Sequence, residues 1–267
     1  MKPFFANDPR LLAHRGMPEE YPENTLISFR NAVELGVDVI ETDTHLTKDN
    51  EFIISHDAEI SRVSDGQGEI KDFTLEELKE FDAGYYFTPD GGQTFPFRGK
   101  GITFISVKEV LEEFPHQKFN IDLKDNNPEQ VAFWAELINE YDAVEWVFTA
   151  SQYSKNLEKV RALFPTMATS FSAGEVVKFY LRNKLGGLKW LQKKKFGGDA
   201  LQIPIKMFGL RLVSPKSIKN AHALGYKIHV WTINEADAMR SLLEMGVDGI
   251  FTDNPRILKK VLADFNP

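Results

Sequence analysis

Two carboxylates stand two residues apart in Glu41-Thr42-Asp43, directly after an apolar run. Residues two apart on a β-strand face the same side, so both acids point in one direction. The preceding apolar residues indicate a buried strand, where paired carboxylates repel each other unless they are protonated, paired or bound to a metal. A hard divalent cation with oxygen ligands meets this need. The alternative is that loop amides or Arg15 neutralise the two acids.

Two histidines end other short apolar runs. His14 is followed by Arg15, and His56 is followed by Asp57. Imidazole exchanges protons near neutral pH, and an arginine fork suits a phosphate group. The carboxyl ends of parallel strands carry the active site in α/β folds, which makes both histidines candidates for catalysis. The alternative is a structural role, which is the more common one for a single histidine at the end of a strand. Asp57 either fixes the tautomer of His56 or caps the next turn.

A third polar group occupies the strand-like segment 118–124. Asn120, Asp122 and Lys124 share one face and alternate with apolar residues. Asp122 is then placed to complete a set of three carboxylates with Glu41 and Asp43, and Lys124 to face an anionic substrate oxygen. The alternative is a plain ion pair between Asp122 and Lys124.

Later strand-like segments contribute weaker candidates. Gln202 and Trp231 stand near the ends of two such segments, as either core residues or walls of a substrate pocket. The run Thr252-Asp253-Asn254, near the C-terminus, is expected to end a strand and cap the helix that begins at Pro255. His45, on the same face as Glu41, is expected to line or orient the site.

The elements that must position these residues alternate along the chain. Predicted strands cover 11–14, 37–46, 52–56, 118–124, 145–149, 166–170, 200–204, 227–233 and 249–252, and predicted helices cover 24–35, 74–81, 107–114, 128–141, 155–164, 215–224, 235–245 and 255–265. Right-handed crossovers make such a sheet parallel. About eight strand–helix units in 267 residues favour an α/β fold of the TIM (β/α)8 barrel type over an open sheet. We predict one domain over 1–267, with an insertion at about 58–101 packed near the barrel mouth.

Composition limits the classes of function. The chain has no cysteine, which excludes disulfides, thiolate metal sites and a cysteine nucleophile. Its net charge of −7 argues against a general nucleic-acid binder. The N-terminus lacks the apolar run of a signal peptide, and no window reaches the ~18 apolar residues of a membrane span. We therefore expect a soluble, cytoplasmic protein.

The segment 175–196 departs from this acidic balance. It carries seven Lys or Arg against one Glu, a charge of +6 that leaves −13 for the rest of the chain. Apolar residues, among them Phe179, Leu185 and Trp190, are interleaved with these cations. The pattern predicts a basic amphipathic element for an anionic membrane surface. The alternative is a solvated helix with a core-facing stripe, which Gly186 and Gly187 would interrupt.

An ordered set of motifs resembles the glycerophosphodiester phosphodiesterase family over nearly the whole chain. The motifs are Ala13-His14-Arg15-Gly16, Pro22-Glu23-Asn24-Thr25, Glu41-Thr42-Asp43, Thr47-Lys48-Asp49, His56-Asp57, Asp122-Leu123-Lys124, Trp231-Thr232-Ile233-Asn234 and the run from Gly246 to Asp253. The resemblance implies a TIM barrel with an insertion after the second strand region. It also implies hydrolysis of glycerophosphodiesters to sn-glycerol 3-phosphate and an alcohol.

The resemblance further implies individual roles. His14 and His56 match the two catalytic histidines, which act as general acid and base. Three acids match the ligands of one divalent cation: Glu41, Asp43 and Asp122. At the position of Asp122 the family usually has glutamate. Carboxylates without a committed imidazole favour Mg²⁺ or Ca²⁺ over zinc. Substrate contacts are expected from Arg15, Lys124, Gln202 and Trp231.

The segment 179–190 is also similar to a subgroup that hydrolyses lysophospholipids to lysophosphatidic acid. Two other functions stay open from the residues alone. One is a metal-dependent barrel lyase, which would need a lysine or histidine base but no pair of histidines. The other is a non-catalytic module that binds a lipid surface through 175–196.

Overall fold

The computed structural model describes residues 2–192, 195–207 and 209–265. The strands are β1 Leu11–His14, β2 Val39–Leu46, β3 Phe52–Ile54, β4 Lys118–Leu123, β5 Val147–Ala150, β6 Ala200–Ile203, β7 Lys206–Met207, β8 Leu210–Arg211, β9 Lys227–Val230 and β10 Gly249–Thr252. The α-helices are α1 Leu26–Leu35, α2 Leu75–Lys79, α3 Val107–Glu113, α4 Gln130–Glu140, α5 Ser154–Leu163, α6 Ala173–Leu191, α7 Pro215–His222, α8 Ala236–Met245 and α9 Pro255–Phe265. Most lie within a few residues of the predicted elements.

The main sheet is parallel and curls into a barrel. Its strand order is β5-β4-β2-β1-β10-β9-β6. Parallel bridges from Thr149 to Thr169 and from Ser170 to Ala200 join β5 to β6, the two ends of this order. The segment predicted as a strand over 166–170 therefore contributes only short bridges, yet it closes the ring. The prediction of a (β/α)8 barrel is confirmed.

Strand β3 differs from the prediction. It pairs antiparallel with the end of β2, with His45 opposite Ile53. Strands β2 and β3 therefore form a hairpin, and β3 is not one of the parallel strands of the barrel. The strand also ends at Ile54 and not at His56. The Ser55 N–H donates to the Asp43 carbonyl at 3.0 Å. This contact turns the chain back, so that His56 follows close beside β2.

The barrel interior is apolar at its amino end and polar at its mouth. One buried cluster comprises Phe4, Phe5, Leu12, Val39, Phe148, Ala150, Ala168, Ala200 and Phe251. Leu12 and Val39 thus face inward, and the strand period of two turns His14 and Glu41 the same way. The intervening side chains pack outward against the helices in the largest core cluster. A pattern of this kind fills the floor with hydrophobic side chains and leaves the carboxyl end for chemistry.

The segment 58–101 has its own small core. It contains the 3₁₀ turns Ile60–Arg62 and Ile70–Asp72 and the helix α2. Thr74 starts α2 with a capping box, in which its side chain and that of Glu77 each bind the other's backbone N–H. Ile60, Ile70 and Leu78 share a cluster with Ile53 of β3. These contacts support the proposal of one barrel domain over 1–267 with 58–101 as an insertion.

Helix α6 covers most of the basic segment 175–196. It starts at a Ser172 capping box and contains a break at Gly187, where φ is 55° and ψ is −145°. Phe179 and Leu191 are buried, as the core-stripe alternative expects, whereas Leu181 and Leu185 are exposed. Lys193 and Lys194 lie outside the described residues. In the part of the chain that the structure describes, no helix is both long and apolar enough to cross a membrane.

Candidate active site

Strand register brings the predicted residues of β1, β2 and β4 together. His14 is the register partner of Glu41, and Asp43 is the partner of Asp122. His14 Nε2 lies 3.9 Å from Glu41 Oε2. Because the parallel strands of a barrel all end at the same rim, these side chains form a single polar surface at the mouth.

The acid pair on β2 is buried and asymmetric. Burial, together with the neighbouring Asp43, raises the pKa of Glu41 to about 8. Burial also opposes ionisation of Asp43, but Lys124 and Arg15 outweigh it and hold the pKa of that carboxyl below its usual value. Glu41 Oε2 and Asp43 Oδ2 are both buried and have no hydrogen-bond partner among the described residues. Two unsatisfied carboxylate oxygens in a buried site are costly unless a cation joins them.

Lys124 lies between two carboxylates. Its Nζ is 2.7 Å from Asp43 Oδ1 and 2.7 Å from Asp122 Oδ2. Burial lowers the pKa of this ammonium, but the two carboxylates outweigh that effect and raise it. Burial raises the pKa of Asp122, which Lys124 only partly offsets. Lys124 is thus a fixed positive charge in contact with two of the three predicted ligand acids.

His14 is held by residues from the other end of the chain. Its Nδ1 lies 2.6 Å from Asp253 Oδ1, and Asn234 Nδ2 donates to Asp253 Oδ2 at 2.8 Å. Burial lowers the pKa of His14, but Asp253 and Glu41 outweigh it and raise the pKa above its usual value. Within the run predicted to end a strand and cap the last helix, Asn254 is the cap, because its side chain accepts from the Ile257 N–H at 3.2 Å. Asp253, beside it, holds His14.

His56 is oriented in the same manner. Its Nδ1 lies 2.7 Å from Asp57 Oδ1, and its carbonyl oxygen lies 3.2 Å from His45 Nε2. His45 Nδ1 in turn lies 2.8 Å from Asp125 Oδ1. An ionised carboxylate only accepts, so the Nδ1 of His14 and of His56 each carries the proton, and each Nε2 is the nitrogen left for chemistry.

Arg15 follows β1 directly and faces the acids of the site. Its Nη1 donates to Glu23 Oε1 at 3.0 Å, and its Nε lies 3.4 Å from Asp43 Oδ2. Glu23 also accepts two hydrogen bonds from Arg62, a residue of the insertion. A cleft at the mouth is lined by His14, Arg15, Pro18, Glu19, Glu23 and Asp253.

Gln202 and Trp231 stand on the far side of β1 and β10 from the acids. Gln202 lies two residues beyond Ala200 of the interior cluster and therefore points inward. The Trp231 N–H donates to the Ile203 carbonyl at 3.2 Å, and the side chain is 42% exposed. Both residues sit at the rim, but neither belongs to the charged cluster around Glu41.

The donor set is suited to a hard cation. Within residues 2–192, 195–207 and 209–265, no three His, Asp or Glu side chains are arranged to hold a metal ion by themselves. Lys124 accounts for part of this, because it occupies one oxygen each of Asp43 and Asp122. Glu41 Oε2 and Asp43 Oδ2, which accept no hydrogen bond from the described residues, nevertheless fit the oxygen-ligand chemistry of Mg²⁺ or Ca²⁺.

Comparison with known proteins settles the family. Residues 14–257 match the model of the glycerophosphoryl diester phosphodiesterase family. The chain belongs to this family. A Bacillus subtilis relative is 33% identical over 94% of this chain and 96% of its own length. A glycerophosphodiester phosphodiesterase of Caldanaerobacter subterraneus is 30% identical over 93% of this chain and 95% of its own length. A mouse lysophospholipase D is 27% identical over 96% and 87%.

Solved structures of the family share the fold. A phosphodiesterase of Oleispira antarctica, in complex with the product sn-glycerol-3-phosphate, has a TM-score of 0.76 and 25% identity, covering 96% of this chain and 97% of its own. A glycerophosphodiester phosphodiesterase of Agrobacterium tumefaciens has a TM-score of 0.75 and 21% identity, covering 96% and 99%. The predictions of family and of fold are thus both confirmed.

The sequence reasoning missed the residues that hold the site in place. Asp253 contacts His14 and is itself held by Asn234. Asp125 contacts His45, and Arg62 contacts Glu23 and Asp57. The sequence assigned no such role to Asp253, Asn234, Asp125 or Arg62. For Asp253 a signal was available, because the last strand of a closed barrel must pair with the first. For Arg62 the sequence offers no comparable signal, because its contacts depend on how the insertion folds.

Proposed function

We propose that the protein hydrolyses glycerophosphodiesters to sn-glycerol 3-phosphate and an alcohol at the barrel mouth, with Mg²⁺ or Ca²⁺ bound. One observation carries the proposal: His14 and His56 each have Nδ1 fixed by a carboxylate, beside the buried acids Glu41 and Asp43. The names of the family relatives and the product bound to the Oleispira antarctica phosphodiesterase support the substrate class.

Electrostatics favour an anionic substrate at this position. Arg15 and Lys124 would contact the nonbridging oxygens of the phosphodiester, whose charge otherwise repels an attacking oxygen. Glu41, Asp43 and Asp122 would hold the cation. When bound, the cation adds positive charge where the transition state accumulates negative charge.

Proton transfer falls to the two imidazoles. One Nε2 would take the proton of the attacking hydroxyl, and the other would give a proton to the leaving alkoxide. Asp253 and Asp57 keep the Nδ1 atoms of His14 and His56 protonated, so each Nε2 faces the reaction in a defined state. Gln202 and Trp231 would contact the organic part of the substrate, since they lie at the rim away from the charges.

The experiment is an assay with glycerophosphocholine that measures released sn-glycerol 3-phosphate in the presence of Mg²⁺ or Ca²⁺. The proposal predicts turnover of this substrate and of bis(p-nitrophenyl) phosphate. A barrel lyase would turn over neither compound. No release of sn-glycerol 3-phosphate from a panel of glycerophosphodiesters, under either metal, would sink the proposal.

A second proposal concerns where the enzyme works: in the cytoplasm, with α6 resting on an anionic membrane surface. Val177, Leu181 and Leu185 are 56%, 55% and 69% exposed and stand four residues apart, on one face of the helix. The exposed cations Lys178 and Lys184 flank this stripe. Apolar residues bordered by lysines are the pattern that binds the interface of anionic lipids.

Another exposed apolar residue lies near the barrel mouth. The hairpin of β7 and β8 follows the carboxyl end of β6, and Leu210, the first residue of β8, is 61% exposed. An enzyme that rests on a membrane surface would meet acylated substrates there, and the mouse relative is named for lysophospholipid cleavage. We therefore propose lysophospholipids, cleaved to lysophosphatidic acid, as a second substrate class.

Vesicle co-sedimentation tests the membrane proposal. Leu181→Ser with Leu185→Ser should weaken binding to phosphatidylglycerol vesicles, while phosphatidylcholine vesicles bind poorly in every case. Leu163→Ser on α5 is the matched control, because Leu163 is 54% exposed and lies on a helix outside the basic segment. Neutralising Lys193, Lys194 and Lys195 should weaken binding further. Equal binding by the double variant and the control would contradict the proposal.

A further inference from the structure

Arg62, in the insertion, bridges two carboxylates from separate parts of the chain. Its Nη1 and Nη2 donate to Glu23 Oε2 and Oε1 at 3.0 and 2.7 Å. Its Nε donates to Asp57 Oδ2. All three nitrogens of the guanidinium are therefore used, in the rigid fork geometry that lysine cannot reproduce.

Each of these two carboxylates also holds a residue proposed to act on the substrate. Asp57 Oδ1 lies 2.7 Å from His56 Nδ1, and Glu23 Oε1 accepts from Arg15 Nη1 at 3.0 Å. One chain of contacts therefore runs from His56 through Asp57, Arg62 and Glu23 to Arg15. Arg62 is the central member of this chain.

We propose that Arg62 is a positioning residue that fixes the separation and orientation of the His56 imidazole and the Arg15 guanidinium. The inference rests on the proposed function, because it assigns Arg62 to the same reaction. It also gives the insertion a role at the site, because Arg62, at the end of a 3₁₀ turn, contacts Glu23 in the segment after β1 and Asp57 in the segment after β3.

The simplest alternative is that Arg62 forms an ordinary surface ion pair, which contributes little to the stability of a protein. The Arg62 side chain is 46% exposed, but Glu23 is only 19% exposed and is shared between two arginines. Burial raises the pKa of Glu23, yet Arg62 and Arg15 outweigh it and keep the pKa below its usual value. Without Arg62, Glu23 and Asp57 would be undercompensated and free to change their hold on Arg15 and His56.

The first test is steady-state kinetics of Arg62→Gln and Arg62→Lys with glycerophosphocholine. Both variants should lose kcat by about 10- to 100-fold, the range typical for residues that orient catalytic groups, with KM changed much less. Arg62→Lys should resemble Arg62→Gln, because the fork matters and not the charge alone. Guanidinium at a low, non-denaturing concentration should restore part of the kcat of Arg62→Ala.

Arg98→Gln is the matched control within the insertion. The Arg98 Cζ lies 4.1 Å from the ring centroid of Tyr85 and 3.9 Å from that of Phe95. Its Nε donates to the Tyr85 carbonyl, so these contacts involve neither Glu23 nor Asp57. It should keep the wild-type kcat. An equal loss in Arg98→Gln and Arg62→Gln would assign the effect to the stability of the insertion and overturn the inference.

A double-mutant cycle tests whether Arg62 acts through its carboxylate partner. On an Asp57→Asn background, Arg62→Gln should cost much less kcat than it does alone, because members of one network are not additive. Fully additive losses would overturn the inference. Wild-type activity is measured first: an inactive wild type contradicts the proposed function, whereas an active wild type with an equally active Arg62→Gln contradicts only the role of Arg62.

Discussion

His14 Nδ1 lies 2.6 Å from Asp253 Oδ1, although almost the whole chain separates the two residues. Pairing of β1 with β10, with Ala13 opposite Thr252, produces this contact. Asn234 donates to the second oxygen of Asp253 and so fixes its orientation. Closure of the barrel therefore sets the tautomer of His14.

Replacing Asp253 should disable His14 while the fold survives. Asp253→Asn leaves one uncharged amide oxygen for the two donors His14 Nδ1 and Asn234 Nδ2, so the imidazole is held less firmly and kcat should fall by about 10- to 100-fold. Steady-state kinetics with glycerophosphocholine measures the loss. Asp237→Asn is the control, because Asp237 is fully exposed at the start of α8. Equal kcat in the two variants would show that Asp253 does not orient His14.

The sequence predicts the parts of the site that depend on local geometry. The strand period of two places Glu41 and Asp43 on one inward face, and the same rule places Asp122 with Lys124. The contacts of Asp253 and Arg62 are non-local, and no local periodicity encodes them. The sequence does not predict the pairing direction of β3 for a related reason: an apolar run of three residues fits either a parallel barrel strand or one strand of a hairpin.

The proposed cation gives a direct prediction for the acid pair. Chelation should abolish turnover, and Mg²⁺ or Ca²⁺ should restore it. Asp43→Asn removes a buried oxygen that lacks any hydrogen-bond partner in the described part of the chain, so cation affinity should fall more than about tenfold.

Isothermal titration calorimetry of wild type, Asp43→Asn and Asp237→Asn measures that affinity. Asp237→Asn should bind the cation as wild type does. A thoroughly chelated enzyme that retains its full rate would count against the cation, as would unchanged affinity in Asp43→Asn.

His229, on the floor of the barrel, should make the free energy of unfolding depend on pH. Burial among Phe5, Phe148 and Phe251 lowers its pKa to about 4, against an ordinary value of 6.5. Between these values the unfolded chain binds a proton that the folded protein excludes, so stability falls as the pH drops from 6.5 toward 4. At pH 4.5 the loss is about 2–3 kcal/mol.

Urea unfolding at pH 7 and pH 4.5 checks this contribution. Wild type should lose more free energy of unfolding than His229→Gln over the same interval, because the amide does not titrate. The same loss in both proteins would mean that His229 is not the group responsible.

The most direct measurement is the release of sn-glycerol 3-phosphate from glycerophosphocholine by wild type, His14→Ala and His56→Ala. His116→Ala is the control, because His116 is exposed and its ring lies against Trp146. The account predicts turnover by wild type and the control, and a loss of about 10²- to 10⁴-fold in each of the other two folded variants. Wild-type rates in either His14→Ala or His56→Ala would contradict it.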